Sequence, residues 1–174
     1  AVEQPGATGA DARHEQKGDV RHAGYEPQQS QQHRHHAQHA AGLGRAVRMY
    51  GSQAIVFASF GESSCSEGYV FEAINGASRE KLPVVFVVQD NGYGIGVPKR
   101  EQSANERIAE NFRGIGNLEI HYADGRDVAD CFRAMAAAVA FAASGQGCAI
   151  VYAECVRIGS HSNSDNHELY RTAQ

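Results

Sequence analysis

Apolar residues fall into two patterns along this chain, and both begin near residue 37. Short continuous apolar runs, bounded by glycine or polar residues, are typical of strands buried on both faces of a parallel sheet. They predict strands at 53–59, 83–88, 118–122 and 148–155. Longer segments with small or apolar residues at helical spacing predict helices at 37–50, 67–79, 105–111 and 128–143. Strands that alternate with helices predict an α/β fold, with a parallel sheet flanked by helices.

The chain divides into three regions by composition. Residues 37–156 carry the strand and helix pattern, and we expect them to form one α/β domain. Ser66 and Asp127 are placed to be the N-caps of two of its helices. Residues 157–174 are polar and predict a loop and tail, whereas residues 1–36 lack apolar runs and predict an irregular segment.

The N-terminal region is rich in histidine and glutamine, with six of the nine histidines and seven glutamines in residues 1–40. Its few apolar side chains cannot offset the entropy lost on ordering, which favours disorder. A metal site is the alternative, at His33, His35, His36 and His39. A third hypothesis is a frameshift within residues 1–36. Histidine and glutamine codons all begin with CA, so a one-base shift converts them into threonine, serine or arginine codons.

Composition argues against several classes of protein. The net charge of −4 gives no general affinity for nucleic acid. No apolar run is long enough to cross a membrane, and no apolar N-terminal segment indicates a signal peptide. The four cysteines lack metal-binding spacing, so we expect reduced thiols and a cytoplasmic location. We expect Cys65 to be a packing residue rather than a nucleophile.

Three polar clusters each follow a predicted strand: Gly61–Glu67, Asp90–Tyr93 and Arg157–Asp165. Ligands of open parallel sheets bind outside the carboxyl ends of the strands, so the three clusters predict one shared site. Glu62 and Asn91 offer a carboxylate and an amide oxygen at the ends of neighbouring strands. Such oxygen ligands suit Mg²⁺ together with the phosphates that it carries.

The segment 60–98, FGESSCSEGYVFEAINGASREKLPVVFVVQDNGYGIGVP, resembles the cofactor signature of thiamine-diphosphate enzymes. The signature is Gly-Asp-Gly and, about 26 residues later, Asn-Asn; here Gly61-Glu62-Ser63 precedes Asp90-Asn91 by 26 residues. The match is nearest to the α-type part of the E1 component of 2-oxo acid dehydrogenase complexes. Within that family it most resembles bacterial branched-chain or pyruvate dehydrogenase E1 proteins that fuse the α-type and β-type parts in one polypeptide. Glu62, Ser63 and Asp90 depart from the family residues, which are aspartate, glycine and asparagine.

The resemblance implies a role for individual residues. It implies that Glu62, the side chain of Asn91 and the backbone carbonyl of Tyr93 hold Mg²⁺, and that Gly61 and Ser63 line the cofactor site. The segment RIGSHSNSD at 157–165 resembles the E1 loop Arg-x-Gly-x-His-Ser-x-Ser-Asp. It implies that Arg157 contacts the diphosphate and that His161 acts in the active site. Ser162 lies where some relatives are phosphorylated.

The implied fold is that of thiamine-diphosphate enzymes of the transketolase and E1 type, here as a partial domain. The implied activity is oxidative decarboxylation of a branched-chain 2-oxo acid or pyruvate, with acyl transfer to the lipoyl domain of E2. The glutamate that activates the cofactor belongs to the β-type part, as a subunit or as a fused domain of bacterial relatives. We therefore expect this chain to need that partner for activity.

Three alternatives remain open at this point. The first is another thiamine-diphosphate enzyme of transketolase type, although the 157–165 loop favours E1. The second is an inactive fragment whose site no longer forms. A nucleotide-binding module is disfavoured because the sequence has no G-x-G-x-x-G or Walker pattern.

Overall fold

The computed structural model describes residues 27–171 of the chain, in which six strands and three α-helices form. The strands are β1 (Val56–Gly61), β2 (Val84–Asp90), β3 (Tyr93–Gly94), β4 (Val97–Pro98), β5 (Leu118–Asp124) and β6 (Cys148–Glu154). The helices are α1 (Pro27–Met49), α2 (Gly68–Arg79) and α3 (Val128–Ala143). Short 3-10 helices form at Glu62–Ser66, Lys99–Glu101, Ile108–Phe112 and His167–Leu169.

The main sheet has four parallel strands in the order β1-β2-β6-β5, which confirms the predicted α/β fold. β2 and β6 occupy the centre because their apolar runs can be buried on both faces. The register aligns Asp90, Glu154 and Asp124 in one row at the carboxyl edge. Gly61 ends β1 beside Gln89, so the turns after β1 and β2 are neighbours.

Helices cover both faces of this sheet. On one face, α2 and the 3-10 helix Ile108–Phe112 pack with Phe86 and Ile150, and Ala37 and Ala40 of α1 join the same core. Gly44 lets α1 approach closely, because an added Cβ would lie 2.5 Å from Cγ2 of Val84. On the other face, the alanines of α3 pack on the sheet. Small residues thus set the short distance between helix and sheet.

The first strand differs from its prediction. It begins at Val56 rather than residue 53, and it lies at an edge of the sheet instead of in its interior. Ala58 and Phe60 are buried, whereas Phe57 is 52% exposed on the opposite face. An apolar run alone does not reveal whether other elements cover both faces of a strand. Here the described residues do not cover the face of β1 that carries Phe57.

The first helix begins before its predicted start. α1 starts at Pro27, so residues 27–36, which we expected to be irregular, are helical. The rings of His35 and His39 stack on this helix at a centroid distance of 6.0 Å. The predictions of disorder or a frameshift for the rest of the N-terminal segment fall on residues 1–26, which lie outside the described residues, as does the side chain of His33.

Other helix predictions had mixed outcomes. The predicted α3 is confirmed at both ends, and Asp127 caps it by accepting hydrogen bonds from the amides of Ala129 and Asp130. The predicted cap at Ser66 is wrong: its hydroxyl donates to the carbonyl of Gln102, since a 3-10 helix precedes α2. The helix predicted at 105–111 is a 3-10 helix, shifted to Ile108–Phe112. Among residues 27–171 no helix is both long and apolar enough to span a membrane.

Candidate functional site

Glu62 is a buried carboxylate at the carboxyl edge of the sheet. It opens the 3-10 helix after β1 and is only 1% exposed. One carboxylate oxygen accepts the amide of Asn91 at 3.2 Å, and the other accepts the Ser63 hydroxyl at 3.3 Å. Burial raises the pKa of Glu62, and the nearby charge of Asp90 adds to that rise. Within the described part of the chain Glu62 has no ion-pair partner.

Asn91 lies against Glu62 because the chain turns sharply after β2. Gly92 adopts a φ of +82°, which favours glycine, and its amide donates to Asp90 Oδ1 at 2.9 Å. The side-chain oxygen of Asn91 accepts the amide of Tyr93 at 3.3 Å. These side-chain bonds to nearby amides are typical of Asx turns. The turn therefore brings the residue after β2 next to the residue after β1, as their positions at neighbouring strand ends predicted.

Tyr93 and Ser63 complete this group. Tyr93 begins the β3–β4 hairpin opposite Pro98, which has no amide hydrogen to donate to the Tyr93 carbonyl. Ser63 packs against the same hairpin: a Cβ at Gly94 would lie 2.2 Å from the Ser63 oxygen. Gly61 has an ordinary extended backbone, and a Cβ added there would meet no atom within 4 Å. The described fold therefore does not itself require glycine at this position.

Asp90 is the second buried acid of the site, and protein groups satisfy both of its oxygens. Lys99 Nζ lies 2.5 Å from Oδ2, which also accepts the hydroxyl of Tyr152. The Asp90 side chain is 2% exposed and that of Lys99 is 25% exposed. Sequence reasoning missed Lys99 and Tyr152. The available signal was an acid at the end of a buried strand, which needs a cationic partner.

Arg157 fastens the C-terminal loop to the β3–β4 hairpin. Its guanidinium lies 5.5 and 5.6 Å from the ring centroids of Tyr93 and Tyr170, and these two rings contact each other at a centroid distance of 5.7 Å. Nη1 donates to the carbonyl of Ile95 at 2.7 Å and Nη2 to the hydroxyl of Tyr170 at 2.6 Å. Nε is buried and has no hydrogen-bond partner in the described residues. Both terminal nitrogens are thus engaged by protein, and the phosphate contact stays a prediction.

His161 lies on an exposed part of the same loop. Its amide donates to Asp165 Oδ2 at 2.7 Å, and that oxygen also accepts the Tyr170 hydroxyl at 2.7 Å. Among residues 27–171 no hydrogen bond or ion pair joins His161 to Glu62 or Asn91. The structure therefore brings Gly61, Glu62, Ser63, Asn91 and Tyr93 together. It attaches Arg157 through the ring of Tyr93 and leaves His161 exposed.

The donors in this group suit a hard cation that brings its own phosphate ligands. No cluster of three histidine, cysteine or acidic residues in the described part of the chain could hold a metal by itself. A carboxylate, an amide oxygen and a backbone carbonyl form the mixed oxygen set that Mg²⁺ takes when phosphates fill the remaining positions. Cys65 is fully buried beside Glu62, and burial raises the pKa of its thiol. This confirms that Cys65 is a packing residue.

Comparison with known proteins gives a family match. A family model described as "Dehydrogenase E1 component" matches residues 6–174, a range that includes most of the histidine-rich segment. The 3-methyl-2-oxobutanoate dehydrogenase subunit alpha of Mycobacterium tuberculosis is 35% identical over 136 residues, or 78% of this chain and 37% of that protein.

Two further relatives are similar over nearly the same share of the chain. The 2-oxoisovalerate dehydrogenase subunit alpha of Bacillus subtilis is 33% identical over 76% of this chain and 40% of that protein. The pyruvate dehydrogenase E1 component subunit alpha of Staphylococcus aureus is 32% identical over 77% of this chain and 36% of that protein. The matched region thus spans well under half the length of each relative.

Proposed function

The chain belongs to the dehydrogenase E1 component family as an α-type part, and we propose that it forms the Mg²⁺ and thiamine-diphosphate site of a 2-oxo acid dehydrogenase. The observation that carries this proposal is the pairing of Glu62 with Asn91. The Glu62 carboxylate is buried, has no cationic partner among residues 27–171, and accepts a hydrogen bond from the backbone amide of Asn91, whose side chain carries an amide oxygen. A carboxylate with a purely structural role is rarely buried without a cationic partner. A carboxylate that binds a metal is often buried in this way, because the metal supplies the positive charge.

Each residue of the group has a definite task in this proposal. The Glu62 carboxylate, the Asn91 side-chain oxygen and the Tyr93 carbonyl would hold Mg²⁺. Gly61 leaves open space beside the turn, and the Ser63 hydroxyl orients the Glu62 carboxylate. When bound, thiamine diphosphate supplies the carbanion chemistry by which a 2-oxo acid loses CO₂.

The C-terminal loop would act on the same site, because Arg157 contacts the β3–β4 hairpin that follows Asn91. Arg157 holds the loop on Tyr93, so the position of the loop depends on the turn that presents the metal ligands. We propose that Arg157 contacts the diphosphate through a rearrangement of this network. His161 then serves as a hydrogen-bond or proton donor to the reacting groups.

The proposed reaction needs partners beyond this chain. A β-type subunit or fused β-like domain would supply the activating glutamate, and the lipoyl domain of E2 would accept the acyl group. The substrate is a branched-chain 2-oxo acid or pyruvate, and relatives of both names are similarly close. These substrates differ by a few methylene groups, each worth about 1–3 kcal/mol in an apolar pocket. We place the protein in the cytoplasm, in keeping with its four free cysteines.

The alternative is that the chain descends from E1 enzymes but has lost the dehydrogenase activity. Glu62 is one methylene longer than the family aspartate, and Asp90 adds a charge where the family has asparagine. These two departures favour the alternative. Against it, Lys99 lies beside Asp90, and both oxygens of Glu62 are hydrogen-bonded within the turn.

An activity assay on the complete E1 protein, with its β-type part and a lipoyl domain, tests the proposal. Pyruvate and three branched-chain 2-oxo acids would be offered with thiamine diphosphate, and the acylated lipoyl domain would be detected by mass spectrometry. We expect Mg²⁺-dependent acylation with at least one acid. A folded protein that binds the cofactor but acylates nothing would refute the dehydrogenase assignment, and one that binds no cofactor would favour the inactive alternative.

A further inference from the structure

Lys99 forms an ion pair with the buried carboxylate of Asp90, one residue away from a proposed metal ligand. Lys99 Nζ lies 2.5 Å from Asp90 Oδ2, and Asp90 directly precedes Asn91. Tyr152 of β6 donates to the same oxygen, and Gly92 donates to the other. Both carboxylate oxygens of Asp90 are therefore engaged by protein donors, whereas Glu62 has no cationic partner in the part of the chain that the structure describes.

The backbone holds Lys99 in this position. The amide of Lys99 donates to the carbonyl of Gly92 at 3.0 Å, which closes the β3–β4 hairpin on the turn that follows Asp90. The Lys99 side chain then reaches back along the hairpin to Asp90. The ion pair and this backbone bond join the start of the hairpin to its end, so they fix the turn that carries Asn91 and Tyr93.

An unpaired Asp90 would disturb the site in two ways. Its carboxylate would be a stronger ligand for a hard cation than the neutral amide of Asn91, so a metal would be drawn from the proposed position. It would also place a second uncompensated negative charge beside Glu62, where a diphosphate must approach. Lys99 removes both effects because it neutralises Asp90 and occupies one of its oxygens.

We propose that Lys99 is a positioning residue for the metal site: its pairing with Asp90 keeps Asp90 from binding the metal and holds Asn91 towards Glu62. This inference rests on the proposed function of Glu62 and Asn91. Asp90 replaces the asparagine of the family, and it then acts as one unit with Lys99. Replacement of the acid by its amide should make the lysine dispensable.

A double-mutant cycle tests the pair in the complete E1 protein. The variants are Lys99→Met, Asp90→Asn and the combination of both, with Lys81→Met as an exposed lysine control. Calorimetry measures Mg²⁺ affinity at saturating thiamine diphosphate, and thermal unfolding in EDTA measures Tm. We expect Lys99→Met to weaken Mg²⁺ binding at least about tenfold and to lower Tm by about 5 °C, because it leaves a buried charge unpaired.

The combined variant decides between pairing and simple packing. We expect Asp90→Asn to restore both the Mg²⁺ affinity and the Tm of Lys99→Met to near those of the unmodified protein. Unchanged Mg²⁺ affinity in Lys99→Met, or no recovery in the combined variant, would overturn the inference. If the unmodified protein binds no cofactor, the proposed function fails, and the metal role of Lys99 fails with it. The Tm values would then still show whether Lys99 fixes the turn through Asp90.

Discussion

Replacement of Glu62 by glutamine should stabilise the metal-free protein while it abolishes Mg²⁺ binding. The buried carboxylate accepts two hydrogen bonds and lacks a counter-ion in the described residues. Burial of an ionised group costs several kcal/mol, and the two bonds return about 1.5–3 kcal/mol each at best. Glutamine keeps both contacts, since its oxygen can accept the amide of Asn91 and its nitrogen can donate to the Ser63 oxygen. We therefore expect a net gain of about 1–2 kcal/mol.

The stability gained by Glu62→Gln should increase with pH, because burial raises the pKa of Glu62. Burial raises the pKa of Glu62 above its ordinary value of 4.5, so the folded protein holds this proton to a higher pH than the unfolded chain. The contribution of Glu62 to stability then falls as the pH rises from 4.5 to the raised pKa. Glutamine does not titrate, so its advantage should be larger at pH 8 than at pH 5.

Thermal unfolding of the complete protein in EDTA at pH 5 and pH 8 measures this effect. A gain of this size should raise Tm at pH 8 by about 2 °C. Glu72→Gln, on an exposed face of α2, makes the same chemical change without burial and should leave Tm unchanged at both pH values. A Glu62→Gln protein that is less stable at pH 8, or equally stabilised at both pH values, would refute the reasoning.

Three further substitutions separate the parts of the site. Asn91→Ala should reduce Mg²⁺-dependent cofactor binding below detection, and unchanged affinity in calorimetry would refute its role as a ligand. His161→Ala should leave that binding nearly intact while it lowers lipoyl-linked turnover; equal losses of both would contradict an exposed, catalytic position. Gly94→Ala places a Cβ 2.2 Å from the Ser63 oxygen and should weaken cofactor binding, whereas Gly68→Ala, which meets no atom within 4 Å, should not.

The parallel sheet could be predicted because its central strands carry strong local signals. The runs at β2 and β6 are apolar on both faces, and α3 has a clear cap at Asp127. The neighbouring positions of Glu62 and Asn91 followed from the topology alone, since adjacent parallel strands end at the same edge. The sequence thus contains enough local information to predict both the fold and the core of the site.

Features that depend on long-range contacts could not be predicted. The β3–β4 hairpin has two residues in each strand, too few for any periodicity. Serine is a common N-cap residue, but the Ser66 hydroxyl donates a hydrogen bond to the carbonyl of Gln102, 36 residues away. The exposure of Phe57 depends on what lies beside an edge strand. The motif at 157–165 predicts that Arg157 contacts a phosphate. Its contacts with the rings of Tyr93 and Tyr170 form only in the folded chain, so the sequence does not reveal them.

Glu62 and Asn91 form, in the function proposed here, a metal-dependent diphosphate site. Calorimetric titration of thiamine diphosphate into the complete E1 protein, with Mg²⁺ and then with EDTA, tests it most directly. We predict saturable binding that requires Mg²⁺ and disappears in EDTA. Equal binding with and without Mg²⁺, or no binding to a folded protein that contains its β-type part, would contradict the claim.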